Sequence, residues 1–402
     1  MVNLPEEFIC ETRQLMGEER FGRYLQAFEE EPPVSIRLNP HKTEELTVGE
    51  GERVPWCEQG YYLPRRPNFT MDPLLHAGCY YVQEAASMFL WQVLTSNLLP
   101  LTSKLSSALD LCAAPGGKST LLRSLLPEDC VLVSNEPMRN RYQVLAENVQ
   151  KWGYPNHTVT NLYPRDFVKS KQHFDLILCD VPCSGEGMFR KDPATIAEWS
   201  PKNVERCWQL QREIVCDAWK CLNDGGLLIY STCTFNTKEN EENVRWFMEE
   251  LGAEVLSVPI KPEWNITGSL LEGFTEPVYR FIPGITRGEG LFMAIMRNGP
   301  TGGPKRSYGG TKTVLRQDQN GPMVGPSSHV ELPYPQAIAY LRGEALVLPE
   351  DTPRGIVEVT FMGHTLGQMK NIGSRANNLY PKTWRIKTTH IPNEYEAILR
   401  HS

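Results

Sequence analysis

Two stretches of the sequence place cysteines where chemistry can be done. Ser231-Thr232-Cys233-Thr234 closes the run Gly226-Leu-Leu-Ile-Tyr-Ser-Thr-Cys-Thr, an apolar β-type segment that follows a Gly-Gly turn. Fifty residues upstream, Phe174-Asp-Leu-Ile-Leu-Cys-Asp-Val-Pro-Cys ends in the same manner, as Asp180-Val-Pro-Cys183. In an open α/β sheet, ligands sit at the carboxyl ends of the strands. Two such ends can therefore face one pocket and furnish it with two thiols and a carboxylate on a backbone stiffened by proline. A free thiol titrates near pH ~8.5, so a reactive one must be activated by its surroundings, and no sequence neighbour names the activating group. The bland reading of each cysteine is a small core residue. Its recurrence at two strand ends weighs against packing needs alone.

A third stretch, Asp110-Leu-Cys-Ala-Ala-Pro-Gly-Gly-Lys118, falls where a strand turns into a helix. Gly116 and Gly117 let the backbone approach a ligand closely. Glu136 ends the next strand, 20 residues after Gly116, where an acid suits the two hydroxyls of an adenosine ribose. The turn is not GxGxxG, which disfavours a nicotinamide dinucleotide. Nor is it a phosphate-binding P-loop, since Gly117-Lys118-Ser119 lacks the leading glycine. S-adenosylmethionine, with a ribose and no phosphate, fits better. Its expected contacts are Cys112, Ala113, Ala114, Pro115, Gly116, Gly117, Lys118, Glu136, Asp166 and Asp180. Asp166, after the third strand, would hold the adenine end or is a surface loop aspartate; Tyr163-Pro-Arg165 before it departs from the small residue common in such folds. Arg141 is a further contact or a solvated helix charge. Arg190 and Lys191, beside the second cysteine motif, can grip a phosphate.

The elements that must position these residues follow from the pattern between them. From about 107 onward, strands (107–113, 131–135, 158–161, 174–179, 226–231) alternate with helices (118–126, 139–152, 204–222, 238–251). That grammar predicts a doubly wound, mostly parallel sheet. Strands at 253–258 and 291–296 lack an intervening helix, which predicts an antiparallel strand inserted at one edge. Residues 1–104 form a preliminary α+β domain, with a helix over 5–30, a strand over 34–40 and a helix opening at Tyr80 and reaching Leu94. Residues 105–298 form the core domain, and the Gly/Pro-rich stretch 299–313 reads as a linker. The segment 314–402 is small and strand-like, with Lys370, Arg375, Lys382, Arg385 and Lys387 near its end.

Composition sets the outer limits. At 402 residues with 41% hydrophobic and 22% charged content, the chain is an ordinary globular protein long enough for two or three domains. No apolar run reaches the length of about 18 residues that a membrane span needs, and the amino terminus does not read as a signal peptide. Eleven cysteines without CxxC pairs or zinc spacing read as free thiols in a reducing cytoplasm. His76 and the other histidines form no ligand set, so no metal is expected. The net charge of −7 opposes nucleic acid as a partner unless a local basic surface supplies the contact.

Together the motifs APGGK, DVPCSGEG and STCT, in this order and spacing, resemble the RNA cytosine-5 methyltransferases of the Sun/RsmF type. SIRLNP and YYVQEAASM near the start are similar to that family too, and the tail resembles the PUA-like RNA-binding domain of the RsmF branch. The resemblance is strongest at 74–245. It implies a Rossmann-like S-adenosylmethionine-dependent methyltransferase core with a seven-stranded sheet, an N-terminal α+β domain and a small, mostly-β C-terminal domain. It implies methylation of carbon 5 of a cytosine, in small-subunit (16S) ribosomal RNA, by a cytoplasmic monomer. By the same resemblance Cys233 is the nucleophile that adds to carbon 6, Cys183 assists release, Asp180 holds the cytosine edge, and Lys118 lies near cofactor and base. DNA cytosine methyltransferases instead use the cysteine of a Pro-Cys motif, which leaves a fork between Cys183 and Cys233; the presence of both favours the RNA type. The competing readings are a transfer-RNA methyltransferase and a non-catalytic ribosome-assembly factor that binds RNA.

Overall fold

A computed structural model describes residues 2–299, 328–388, 390–392 and 394–401. Of the expected linker 299–313 only Gly299 lies among them, as do none of residues 314–327.

The centre is a sheet whose strands run in the order Ala253–Leu256, Leu291–Asn298, Leu222–Thr232, Phe174–Asp180, Ser107–Asp110, Val131–Asn135, His157–Thr160. The expected seven are joined by a short eighth, Tyr279–Phe281, which pairs with Leu291–Asn298. From Leu222–Thr232 to His157–Thr160 every pairing is parallel. Leu291–Asn298 runs antiparallel to both of its neighbours in that order. It was expected at the edge and instead lies one strand in, because Ala253–Leu256 pairs along its outer side and takes the edge.

Both faces of the sheet are buried, and the strands therefore read as nearly continuous apolar runs. Leu176, Leu178, Leu227, Ile229, Met293 and Ile295 face one core, while Ile177, Cys179, Leu228, Tyr230, Phe292 and Ala294 face the other. The second core is closed by the helices Pro201–Lys220 and Glu241–Leu251, through Ile214, Val215, Val244 and Phe247. The first is closed from the N-terminal part of the chain by Trp56, Phe89, Leu90 and Val93.

Residues 1–104 thus share cores with the sheet rather than owning one. Helix Glu6–Gln26 packs Phe8, Phe21 and Tyr24 against Phe189, Trp199 and Phe235. Strand Val34–Leu38 pairs with Gly60–Leu63 and with Tyr80–Val82. The last of these replaces the first turn of the helix expected from Tyr80. Two tyrosines and a valine suit a pleated surface, and the helix proper, Phe89–Thr95, begins only beyond the 3-10 turn Ala86–Met88.

The C-terminal part forms a four-stranded sheet, with Gly355–Phe361, His364–Asn371 and Ala376–Asn378 successively antiparallel. It leans on the N-terminal part. Leu399–His401 pairs with Leu46–Val48, and Val359, Tyr340 and Leu399 share one core with Ile36, Leu74 and Tyr80. Buried Asp72 accepts hydrogen bonds from Tyr80 at 2.8 Å and Tyr395 at 3.1 Å across that contact.

Arg37 joins the N-terminal sheet to the 112–118 turn and the helix that follows it. It is fully buried and stacks over Trp152, donating to Gln83 Oε1 at 2.7 Å, Thr120 Oγ1 at 2.6 Å and the Gly117 carbonyl at 3.2 Å. Burial lowers its pKa to about 10, so it stays charged. Arg37→Met removes these charge-assisted bonds and leaves Gln83 and Thr120 short of a partner. A loss on the order of 2 kcal/mol in urea unfolding is expected, and an unchanged midpoint would argue that the tie contributes nothing.

Candidate functional site

Ser231 lies directly opposite Asp180 in the parallel register of Leu222–Thr232 on Phe174–Asp180. Their side chains meet, Ser231 Oγ donating to Asp180 Oδ1 at 2.7 Å. The chain then leaves both strands on the same side, and Cys183 Sγ comes to 3.2 Å from Cys233 Sγ. That is well beyond a disulfide bond of about 2.05 Å, and both cysteines are free thiols. The Cys233 backbone N–H also points at Cys183 Sγ, at 3.3 Å.

Asp180 Oδ2 is held by Lys118 Nζ at 2.8 Å, an ion pair reaching across the sheet from the helix Gly117–Leu125. Burial by itself pulls the Lys118 pKa down, but the Asp180 charge and hydrogen bond outweigh it, and the net shift is upward. Lys118 is therefore a cation at neutral pH, and its charge also interacts with Cys233. Cys183 is pushed well up, first by its hydrogen bond to Cys233, then by burial, then by the Cys233 charge. It rests as a protonated thiol.

The 112–118 turn is shaped by Gly116, whose φ is +117° and whose missing Cβ would lie 3.3 Å from Leu145 and 3.4 Å from Asn148. Ala113 N–H donates to Asn135 O at 2.8 Å. Arg141 donates to the Ala114 carbonyl at 2.8 Å and lies 3.5 Å from Glu136 Oε2. Its place is against the outside of the turn. Glu136 is buried, with Oε1 accepting from Met138 N–H and Oε2 without a hydrogen-bond donor. Asp166 caps its own helix, Pro164–Lys169, by accepting from Tyr163 N–H at 3.0 Å.

Arg190 is not free to grip a phosphate. It is buried in a bidentate pair with Glu289, the nearest contact 2.6 Å, and donates to the Ala27 carbonyl at 3.0 Å. A buried carboxylate at Glu289 demands a partner of that kind. Lys191 is exposed.

Two site residues escaped the sequence reading. Asp110 is fully buried at the end of the first parallel strand, with Ser119 donating to Oδ2 at 2.5 Å and Oδ1 unpartnered. Asn135 binds the carbonyls of Leu111 and Leu162 and accepts from Leu162 N–H, knitting together the loops beyond three strands. The strand read over 107–113 ends at Asp110 in the structure, so Asp110 was not marked as a strand end by the sequence; Asn135 carried no signal. A separate surface cleft of about 330 Å³, lined by His76, Tyr81, Asn148, Lys151 and Trp152, shares no residue with the cysteine loops. Among the described residues no group of His, Cys, Asp or Glu has metal-site geometry, and no helix is long and apolar enough to cross a membrane.

Burial, opposed by the Ser119 hydrogen bond and reinforced by the Asp180 charge, pushes Asp110 up to about 7. A carboxyl whose folded pKa exceeds its unfolded one (~3.9) keeps its contribution at low pH and loses it as pH rises through the folded value. In the ligand-free protein, the urea midpoint of Asp110→Asn relative to wild type should therefore rise from pH 5 to pH 8. A difference that does not change with pH would contradict the burial of an ionisable group there.

Comparison with known proteins gives concordant matches. A family model described as 16S rRNA methyltransferase RsmB/F matches residues 98–297, the N-terminal domain of 16S rRNA methyltransferase RsmF matches 4–85, and the methyltransferase RsmF PUA domain matches 327–386. Ribosomal RNA small subunit methyltransferase F of Aliivibrio fischeri (strain MJ11) is 33% identical over 318 residues, 75% of this chain and 66% of that protein. The protein of the same name from Pectobacterium carotovorum subsp. carotovorum (strain PC1) is 34% identical, over 73% of this chain and 63% of its own. The chain thus spans slightly less than two thirds of the curated relatives it matches. A methyltransferase homolog protein from Pyrococcus horikoshii superposes with a TM-score of 0.57 at 26% identity, over 73% of this chain and 100% of that one. NSun6 from Pyrococcus horikoshii with SFG has a TM-score of 0.58 at 21% identity, over 74% of this chain and 98% of its own, a likeness of fold.

Proposed function

The chain belongs to the RsmB/F family of 16S rRNA methyltransferases, and from that premise we propose that it methylates carbon 5 of a cytosine in small-subunit ribosomal RNA, using S-adenosylmethionine. The observation that carries the reading is the pair of thiols 3.2 Å apart beside a Lys118–Asp180 ion pair.

The residues fit the cofactor. Two buried carboxylate oxygens flanking the 112–118 turn, Asp110 Oδ1 and Glu136 Oε2, have no hydrogen-bond donor of their own, the second with only the Arg141 guanidinium nearby at 3.5 Å. Glu136 would take the ribose hydroxyls, residues 112–118 the body of the ligand, and Asp110 and Asp180 its cationic end. Arg141 acts on this site by bracing the turn. When bound, S-adenosylmethionine supplies an electrophilic methyl group.

Carbon 5 of cytosine is a poor nucleophile until a thiolate adds at carbon 6. The Cys233 thiolate makes that bond, and the electrons of the C5–C6 double bond become available at carbon 5. Lys118 stands by as the cation compensating the charge in transit, and Asp180 accepts from the cytosine amino group. Carbon 5 then carries both the methyl group and a proton that must leave. Here the causes holding Cys183 protonated matter. The first and third are Cys233 itself, and they vanish once Cys233 is bonded to carbon 6. Cys183 then gives up its proton to solvent and, as the thiolate, takes the carbon-5 proton; the double bond re-forms, and Cys233 departs as a thiolate. The base must be unpaired or flipped to reach this depth. Exposed Lys370, Arg375 and Lys382 on the C-terminal part offer phosphate contacts.

Labelled S-adenosylmethionine, 16S ribosomal RNA or 30S particles, and transfer RNA as the contrast substrate test the reading. Wild type should place 5-methylcytosine in the ribosomal substrate. Cys233→Ala should give neither product nor adduct, and Cys183→Ala should accumulate a protein–RNA adduct that survives denaturing gels. Methylation of transfer RNA alone would move the substrate, and undiminished turnover by Cys183→Ala would remove its role.

A further inference from the structure

The loops that carry the two cysteines hold each other through exchanged carboxylates. Glu186 belongs to the Cys183 loop, yet its Oε2 accepts the backbone N–H groups of Phe235 at 2.6 Å and Asn236 at 3.0 Å on the Cys233 loop. Glu239 belongs to the far end of the Cys233 loop, yet its Oε2 accepts the backbone N–H of Ser184 at 3.0 Å. Asn236 Nδ2 donates to both, to Glu186 Oε1 at 2.9 Å and Glu239 Oε1 at 2.8 Å. Both carboxylates are buried, at 3% and 0% exposure. Outside donors complete the set, Trp199 Nε1 on Glu186 at 3.0 Å and Gln211 Nε2 on Glu239 at 2.6 Å.

Burying two acids so close together is costly. Burial and then the charge of Glu186 push Glu239 up to about 7. A packing role would be served by apolar side chains. Every donor here is instead either a backbone N–H of the opposite cysteine loop or a side chain fixing the carboxylate that receives it. Between the loops, Gly187 N–H donates to Cys233 O at 2.7 Å, and a Cβ on Gly187 would fall 2.7 Å from Gly290 Cα. No slack remains on that side.

We propose that Glu186 and Glu239 are positioning residues that set the separation of Cys183 and Cys233 by cross-clamping their loops. The inference rests on the nucleophile and base roles given above to the two thiols. The clamp makes both available within one reaction cycle, because each thiol is placed by the loop of the other. All four contacts on Glu186 are donors, so Glu186→Gln turns an amide NH2 towards at least one of them and loosens the loops without changing size. Glu239→Gln does the same.

Thiol separation can be read without any RNA. Diamide takes two electrons and two protons from a thiol pair and leaves a disulfide, and the Cys183–Cys233 cross-linked peptide is counted by mass spectrometry over time. Folded Glu186→Gln and Glu239→Gln should cross-link about tenfold more slowly than wild type, a part of the roughly hundredfold that a full 1 Å misplacement can cost. Their kcat for methyl transfer should fall by a comparable factor while KM for RNA holds. Should either glutamine variant fail to fold, Asn236→Ala, which removes the bridge between the two carboxylates together with the side-chain cap on Glu239 N–H, takes its place with the same expectation of slower cross-linking. Cross-linking at the wild-type rate in any folded variant of the three overturns the clamp. Absence of methyl transfer by wild type strikes instead at the functional reading and leaves the cross-linking result to decide the clamp by itself.

Discussion

One parallel pairing governs the chemistry of this molecule. The register that sets Asp180 opposite Ser231 brings two strand ends level, and the loops beyond them then have only a few residues in which to diverge. Cys183 and Cys233, fifty positions apart in sequence, meet as a consequence. A slip of one residue would turn the apolar set of either strand to the wrong core, so the two buried faces that stabilise the sheet also fix the thiols. The neighbouring strand Ser107–Asp110 completes the arrangement, since Lys118 starts from the turn beyond it and reaches across to Asp180.

Around this centre, two buried ion pairs tie the loops in place. Arg280 and Glu241 form a fully buried bidentate pair, and Arg280 also holds the Phe235 carbonyl of the Cys233 loop. Arg190 and Glu289 do the same for the Cys183 loop and the N-terminal helix. Such pairs are weak contributors to stability by themselves, because desolvation consumes most of their attraction. What they provide is location: a loop tied by a bidentate buried pair has few alternative positions. Asp110 Oδ1 and Glu136 Oε2 are among the buried polar atoms without a hydrogen-bond donor, and they lie where a cationic, ribose-bearing ligand is proposed to bind.

The candidate site was legible in sequence to the extent that it is local. Strand-end cysteines, the Gly116-Gly117 turn and the acid at 136 sit at fixed offsets from apolar runs, so their positions followed from periodicity. Partners distant in sequence were not legible. Nothing near Arg190 announces that Glu289 will bury beside it, and nothing near Arg37 points to Gly117 and Thr120. The strand Tyr80–Val82 read as helix because the alanines beyond it extend a helical pattern backwards, and pairing with Val34–Leu38 overrode that local preference. The inserted strand was read correctly as antiparallel, but its depth depended on Ala253–Leu256 pairing outside it, a non-local event. The shared core of N- and C-terminal parts was likewise hidden, because each contributes half of an apolar surface that only docking completes.

Trapping on RNA carrying 5-fluorocytosine at the target position tests the central assignment most directly. Fluorine at carbon 5 cannot leave as a proton does, so a cysteine adduct that has accepted the methyl group is held on the protein, and digestion followed by mass spectrometry identifies the residue. Attachment through Cys233, with Cys183 unmodified, is the expected result. Attachment through Cys183, or a methylated product released without any adduct, would contradict it.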